Sequence, residues 1–285
     1  MKQFSLAYSS CPNDTFIFHA LAHKLLKADF NFNITIADVE TLNKYAEKVR
    51  FDITKLSFAT FGVLRDRYAL LRSGAALGRG CGPLVVSLPQ KQLNNSIKRP
   101  NVAVPGRGTT AFVLFYLFIK ENFPEIEPNI IPMPFEKIML TIKDGTADFG
   151  VIIHEGRFIY KNLGLDCLVD LGAWWEKFTG LPIPLGCIAI KRDIYQKNPK
   201  VASMIQKMVK ESIDYALDNP KISRDYIKAH AQELDDIVID QHIELYVNQF
   251  SKNIGDEGEA AIKIFLQKLE EAELIAPNVE PLFVD

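Results

Sequence analysis

Cysteine is scarce. The four cysteines, Cys11, Cys81, Cys167 and Cys187, share no CxxC spacing and have no companion histidine at zinc-finger spacing. That excludes a metal knuckle and a disulfide framework as organising devices. An excess of one charge is missing as well, with 33 Lys and Arg against 35 Asp and Glu and a formal net charge of -2. Such a balance leaves no electrostatic footprint for nucleic acid or an anionic membrane, so the expected partner is a small molecule. Long apolar runs are lacking too. The longest, AFVLFYLFI from Ala111 to Ile119, has nine residues, where a membrane span needs about 20. The opening MKQFSLAYSSCPND is broken by Pro12 and Asn13 and lacks the apolar core of a secretory signal, so a cytoplasmic protein is expected. There is no internal repeat and no low-complexity tract. What remains is ordinary globular composition, 48% hydrophobic and 24% charged over 285 residues, enough for one large domain or two of moderate size.

Periodicity organises the chain into alternating strands and helices. A strand over Phe4 to Tyr8 runs through SSCPND into a helix with Ile17, Ala20, Leu21 and Leu25 at helical spacing. A second strand over Phe32 to Val39 leads through TLNKYAEKV to FDITKLS, where Ser57 is placed to cap the helix that follows. After an apolar strand at Leu84 to Leu88, QKQLNNSIKRP reads as a crossover. Then come NVAV, the turn PGRGTT, an apolar helix to about Glu121, and, past a DG stop, a strand from Phe149 to Ile153. Cys187 to Ile190 reads as the return strand. From Pro199 the chain is helical, with one stripe from Val201 to Leu217 and another on Ile262, Phe265, Leu266 and Leu269.

Alternation of this kind implies α/β architecture with a mostly parallel sheet in each of two lobes. One crossover near residue 90 and one return near 190 predict lobe 1 as 1–90 plus 190–285 and lobe 2 as 91–189. That is the layout of a two-lobed periplasmic-binding-protein-like fold of the second type, with a ligand cleft expected between the lobes.

Ligands of open α/β sheets bind beyond the carboxyl ends of strands, so the segments that follow strands nominate the site: SSCPND, KLS, PGRGTT and HEGR. His154 carries the most chemistry. An ordinary imidazole, with pKa about 6.5, is largely neutral near pH 7 and accepts a proton; the plainer alternative is a histidine that finishes a strand and bonds a backbone carbonyl. HEGR is not HExxH. His19 and His23 have i, i+4 spacing but no third ligand at recognisable spacing, so no metal is expected, and they read as partly exposed helix residues. His230 and His242 read as helix surface. GRGTT lacks the lysine of a phosphate loop, which leaves Thr109 and Thr110 to offer hydroxyl and backbone donors or simply to cap a helix. GRGCGP, from Gly78, reads as a turn. Cys11 is placed either to line the cleft or to act as a thiolate, with Asn13 beside it. Arg107 and Arg157 are candidate carboxylate clamps, or plain ion pairs.

Five ordered segments, SCPNDTFIFHA, KLS, GRGTTA, DFGVIIHEGRF and LPIPLG, together resemble the 1,4-dihydroxy-6-naphthoate synthases, lyases of the futalosine route to menaquinone, from end to end. The resemblance implies a cytoplasmic, cofactor-free enzyme that converts a cyclic dehypoxanthinyl futalosine to 1,4-dihydroxy-6-naphthoate with loss of dihydroxyacetone. It implies His154 as proton acceptor, and Lys55, Leu56, Ser57, Thr109 and Thr110 as substrate-lining residues. The rivals are a solute-binding protein, the related chorismate dehydratase, and a thiol enzyme using Cys11.

Overall fold

The computed structural model describes residues 2–27, 30–94, 96–231 and 235–284. The chain divides into two compact units, Met1–Gly78 with Pro184–Asp285, and Arg79–Ile183. Unit 1 opens with β1 (Lys2–Tyr8), α1 (Pro12–Ala22), β2 (Phe30–Ile36), α2 (Val39–Glu47), β3 (Ile53–Ser57), α3 (Phe58–Val63), β4 (Tyr68–Leu70) and β5 (Ala76–Gly78). Unit 2 holds β6 (Leu84–Ser87), β7 (Asn101–Val104), α4 (Thr110–Asn122), β8 (Asn129–Pro132), α5 (Ile138–Lys143), β9 (Phe149–Ile152), α6 (Gly156–Ile159), β10 (Asp166–Asp170) and α7 (Leu171–Thr179). The chain then completes unit 1 with β11 (Ile183–Lys191), α8 (Arg192–Lys197), α9 (Pro199–Asp218), α10 (Arg224–Lys228), α11 (Asp236–Tyr246), α12 (Gln249–Lys252) and α13 (Gly255–Glu271). Among the described residues no helix is long and apolar enough to cross a membrane.

Both sheets are mixed, where alternation predicts mostly parallel ones. In unit 1 the order is β2-β1-β3-β11-β4, with β5 also on β11; β2, β1 and β3 are parallel, and β11 runs against β3 and β4. In unit 2 the order is β10-β6-β9-β7-β8, with β6 and β10 antiparallel to their neighbours. The strand that runs against the rest is in each sheet the first of a chain segment, β6 in unit 2 and β11 on the return to unit 1, and neither is reached by a helical crossover from a strand of its own sheet.

The unit boundaries also differ from the expected 90 and 190. Strand β6 pairs with β9 and β10, so Leu84 to Ser87 belongs to unit 2, and QKQLNNSIKRP joins two strands of that unit rather than crossing over; Asn95 within it lies outside the described residues. Helix α1 starts at Pro12, with Cys11 as its N-cap, earlier than SSCPND suggests. Proline at the first helical position loses only a donor that would have no intrahelical partner.

The unit 1 core gathers Phe16, Ile17 and Phe18 of α1 with Ile205, Val209 and Ile213 of α9. Ser212 donates to the Ile17 carbonyl at 2.6 Å, which satisfies a polar group inside that contact. The α13 stripe is buried as its period predicts, whereas Met204 and Leu217 on α9 are exposed. His242, expected on a surface, is fully buried against Tyr246. His19 is buried as well, with its ring 4.2 Å from that of His23 and near Tyr226.

Asp52 links three strands of unit 1. Its carboxylate accepts from the Ser5 amide and hydroxyl at 2.9 Å each and from Lys191 at 3.2 Å. Burial pushes its pKa up, but the Ser5 hydrogen bonds and the Lys191 charge outweigh that and leave it below the ordinary 3.8. The stabilisation is therefore complete above the ordinary value and is lost as pH falls through the depressed folded value. We expect Asp52→Asn to melt below wild type at neutral pH and the gap to close in acid, as read by thermal melts across pH. A gap independent of pH would contradict this.

Candidate active site

In unit 1 the chain after β1 turns over a buried carboxylate. Asp14 is fully buried; one oxygen accepts from the Ser9 amide (3.2 Å) and hydroxyl (2.6 Å), the other from Asn13 Nδ2 (2.9 Å) and Lys55 Nζ (2.7 Å). The Lys55 side chain is only 5% exposed. A buried ion pair is tolerated where further hydrogen bonds saturate it, as three do here. Every residue of β3 is buried, and the two-residue period puts Lys55 and Ser57 on one face and Leu56 on the other. Beside β3 in the sheet runs β11, with Cys187 opposite Leu56 in register, and the Cys187 thiol donates to the Leu56 carbonyl at 3.6 Å; burial raises the pKa of that thiol. Gly186, opposite Ser57 in register, leaves room for the lysine: a Cβ there would stand 2.9 Å from Lys55 Cε. The LPIPLG segment is thus tied physically to KLS.

Ser57 occupies the N-cap position of α3 but makes no side-chain cap hydrogen bond. Its amide donates to Asn43 Oδ1 at 3.0 Å, and Asn43 Nδ2 donates to its hydroxyl at 3.1 Å. Asn43, 1% exposed on α2, has no signal in the sequence, where TLNKYAEKV reads only as the segment between the second strand and FDITKLS. Asp14 was missed as a partner of Lys55 for a different reason: the two are 41 positions apart. Cys11 is buried in the same turn, with its amide donating to the Ser9 hydroxyl at 3.4 Å.

In unit 2 the PGRGTT turn follows β7. Gly106 takes φ 133, a region open only to glycine without strain. Its carbonyl accepts from the Thr109 hydroxyl at 2.7 Å, and the same hydroxyl accepts from the Phe112 amide at 3.2 Å, capping α4. Thr109 and Thr110 are both buried. Arg107 is exposed, with its guanidinium 5.6 Å from the Phe112 ring.

His154 lies past the end of β9 in the left-handed region, φ 53. Few non-glycine residues adopt that conformation, histidine more readily than most. Its half-buried ring meets Phe135 edge-on at 5.1 Å. Three residues on, the Arg157 guanidinium donates to the Gly82 carbonyl and to Asp170, both at 2.6 Å, so this candidate clamp for a substrate carboxylate already grips a carboxylate of the protein. Among the described residues, no three His, Cys, Asp or Glu side chains are grouped to hold a metal ion.

Solved structures place the fold. Over 98% of this chain and 90% of its own, the periplasmic aliphatic sulphonate binding protein SsuA from Escherichia coli superposes with TM-score 0.69 at 12% identity. The structure of protein AF1704 from Archaeoglobus fulgidus reaches TM-score 0.87 at 31% identity, covering 96% of this chain and 98% of that one. The architecture is therefore periplasmic-binding-protein-like. The profile of the menaquinone biosynthesis family matches residues 4–271, and the chain belongs to that family. Among curated relatives it is 44% identical over 284 residues, all of both chains, to a 1,4-dihydroxy-6-naphtoate synthase of Thermus thermophilus. It is 42% identical over 276 residues to a protein of the same name from Streptomyces coelicolor, covering 97% of this chain and 95% of that one.

Proposed function

We propose that this chain is a cytoplasmic 1,4-dihydroxy-6-naphthoate synthase: a cofactor-independent carbon–carbon lyase that converts cyclic dehypoxanthinyl futalosine to 1,4-dihydroxy-6-naphthoate and dihydroxyacetone. The observation that carries the reading is His154, held in a left-handed turn beyond β9 and partly exposed, so that a substrate proton can come within its reach. The names of the two curated relatives support the same product.

In this reading neutral His154 takes a proton from the substrate, the ring system opens, and the carbon–carbon bond to the three-carbon fragment cleaves, the fragment leaving as the ketone and the bonding pair staying with the ring carbon; aromatisation of the second ring drives the reaction forward. Thr110, the first residue of α4, binds substrate oxygen with its hydroxyl and amide, and Thr109, whose hydroxyl and amide both donate to the Gly106 carbonyl, holds that turn in shape. Lys55 and Ser57, on one face of β3, donate to the substrate, and Leu56 supports them from the other face of the strand. Asn13 is held by Asp14 and acts with Lys55. Cys11 lines the turn rather than attacking.

The test is incubation of purified protein with cyclic dehypoxanthinyl futalosine while following the naphthoate chromophore, for wild type and for Cys11→Ser. Wild type forms the chromophore, and Cys11→Ser keeps most of the rate. No chromophore from wild type would end the synthase reading, and loss confined to Cys11→Ser would turn it into a thiol mechanism. Tight binding without turnover would favour a solute-binding protein.

A further inference from the structure

We propose that Arg157 and Asp170 are positioning residues that hold His154 in place, and that Arg157 does not bind substrate. The activity part of this statement rests on His154 being the base; the geometry stands apart from it. The turn that carries His154 closes on local backbone bonds, from the Gly156 amide to the Ile153 carbonyl at 3.1 Å and from the Phe158 amide to the Glu155 carbonyl at 2.9 Å. The helix after it, α6, has four residues, and the Arg157 amide reaches back to the His154 carbonyl at 3.2 Å. A non-glycine residue keeps φ 53 only where its surroundings over-determine it.

The Arg157 side chain ties that turn to the rest of unit 2. Nη1 donates to the Gly82 carbonyl and Nη2 to Asp170 Oδ2, each at 2.6 Å. The other Asp170 oxygen accepts from the Gly172 and Ala173 amides at 2.9 and 3.1 Å, capping α7. Gly82 and Gly172 press backbone to backbone: a Cβ on Gly82 would lie 2.3 Å from Gly172 Cα, and one on Gly172 would lie 2.7 Å from the Gly82 nitrogen. Gly82 of GRGCGP and Gly172 of LVDLGAWW therefore serve one purpose, bringing a carbonyl and a capped helix end within reach of one guanidinium. A planar fork is suited to holding two acceptors at fixed angles, and an ammonium is not. A substrate carboxylate at Arg157 would have to share the guanidinium with Asp170, which is itself committed to the α7 cap.

Arg157→Lys and Asp170→Asn test this, since lysine keeps the charge and asparagine can still cap α7. Each is expected to lower kcat by about 10- to 100-fold, the cost of a misplaced base. KM should stay within about twofold, because binding is not what is lost. The double variant should fall no further than the worse single, as for two residues acting as one unit. Independently of turnover, the ring resonance of His154, assigned by its disappearance in His154→Asn, should shift in both variants while those of His19 and His23 in unit 1 stay put. An unmoved His154 resonance overturns the proposal, as does a raised KM with kcat retained, which would make Arg157 a substrate clamp. If wild type makes no naphthoate, the synthase reading fails, and the resonance alone decides the positioning role.

Discussion

His154→Asn should lower naphthoate formation by about 10²- to 10⁴-fold, the range a general base contributes, with fold and substrate affinity retained. Asparagine is the informative replacement because of the backbone. His154 sits at φ 53, and asparagine adopts the left-handed region readily, whereas alanine or glutamine would add strain and blur the result. The ring contact to Phe135 is lost, but the residue is only half-buried, so a large stability deficit is not expected. Steady-state rates with a thermal melt of each protein check both halves. Turnover within a few-fold of wild type would remove His154 from the chemistry and return it to a histidine that finishes a strand.

Asp14→Ala should lose about 3–5 kcal/mol of stability, the cost of leaving one member of a buried ion pair without its partner. The pair is among the least exposed in the molecule, with side chains 5% and 0% accessible and 2.7 Å between Nζ and Oδ1. Gly186 packs at Lys55 Cε, so the ammonium has little freedom to seek water. Lys55→Met should cost less, because Asp14 keeps the Ser9 and Asn13 hydrogen bonds. The double variant Asp14→Leu with Lys55→Met should be more stable than the sum of its singles predicts. It should nevertheless fall short of wild type by about 1–3 kcal/mol, from Ser9 and Asn13 donors that lose their acceptor. Urea unfolding of the four proteins measures this. Additive losses, or a loss under about 1 kcal/mol for Asp14→Ala, would show the pair to be energetically ordinary.

Legibility in the sequence followed the range of the interactions concerned. Short-range signals were readable: the α4 cap at Thr109, the α13 stripe, the strand that ends before His154, and the segments after strands where polar groups collect. The alternating elements and the ordered segments indicated the binding-protein-like fold that the solved structures share. Long-range pairings were not readable. Nothing within β6 tells that Leu84 to Ser87 pairs with β9 rather than with the first sheet, so the first unit boundary came out too late. Asp14 and Lys55, Asn43 and Ser57, and Arg157 with Gly82 and Asp170 meet only after the sheets form. His242 misled because its neighbours on α11 are a mixture of polar and apolar residues, and only the packing of that helix buries it.

The most direct measurement is simultaneous quantification of both products from wild-type protein and cyclic dehypoxanthinyl futalosine, by chromatography of quenched samples over time. The lyase reading predicts that 1,4-dihydroxy-6-naphthoate and dihydroxyacetone rise together in equal amounts as substrate falls, and that neither forms at comparable rate with His154→Asn. Substrate that is bound but unchanged, or naphthoate formed without dihydroxyacetone, would contradict it.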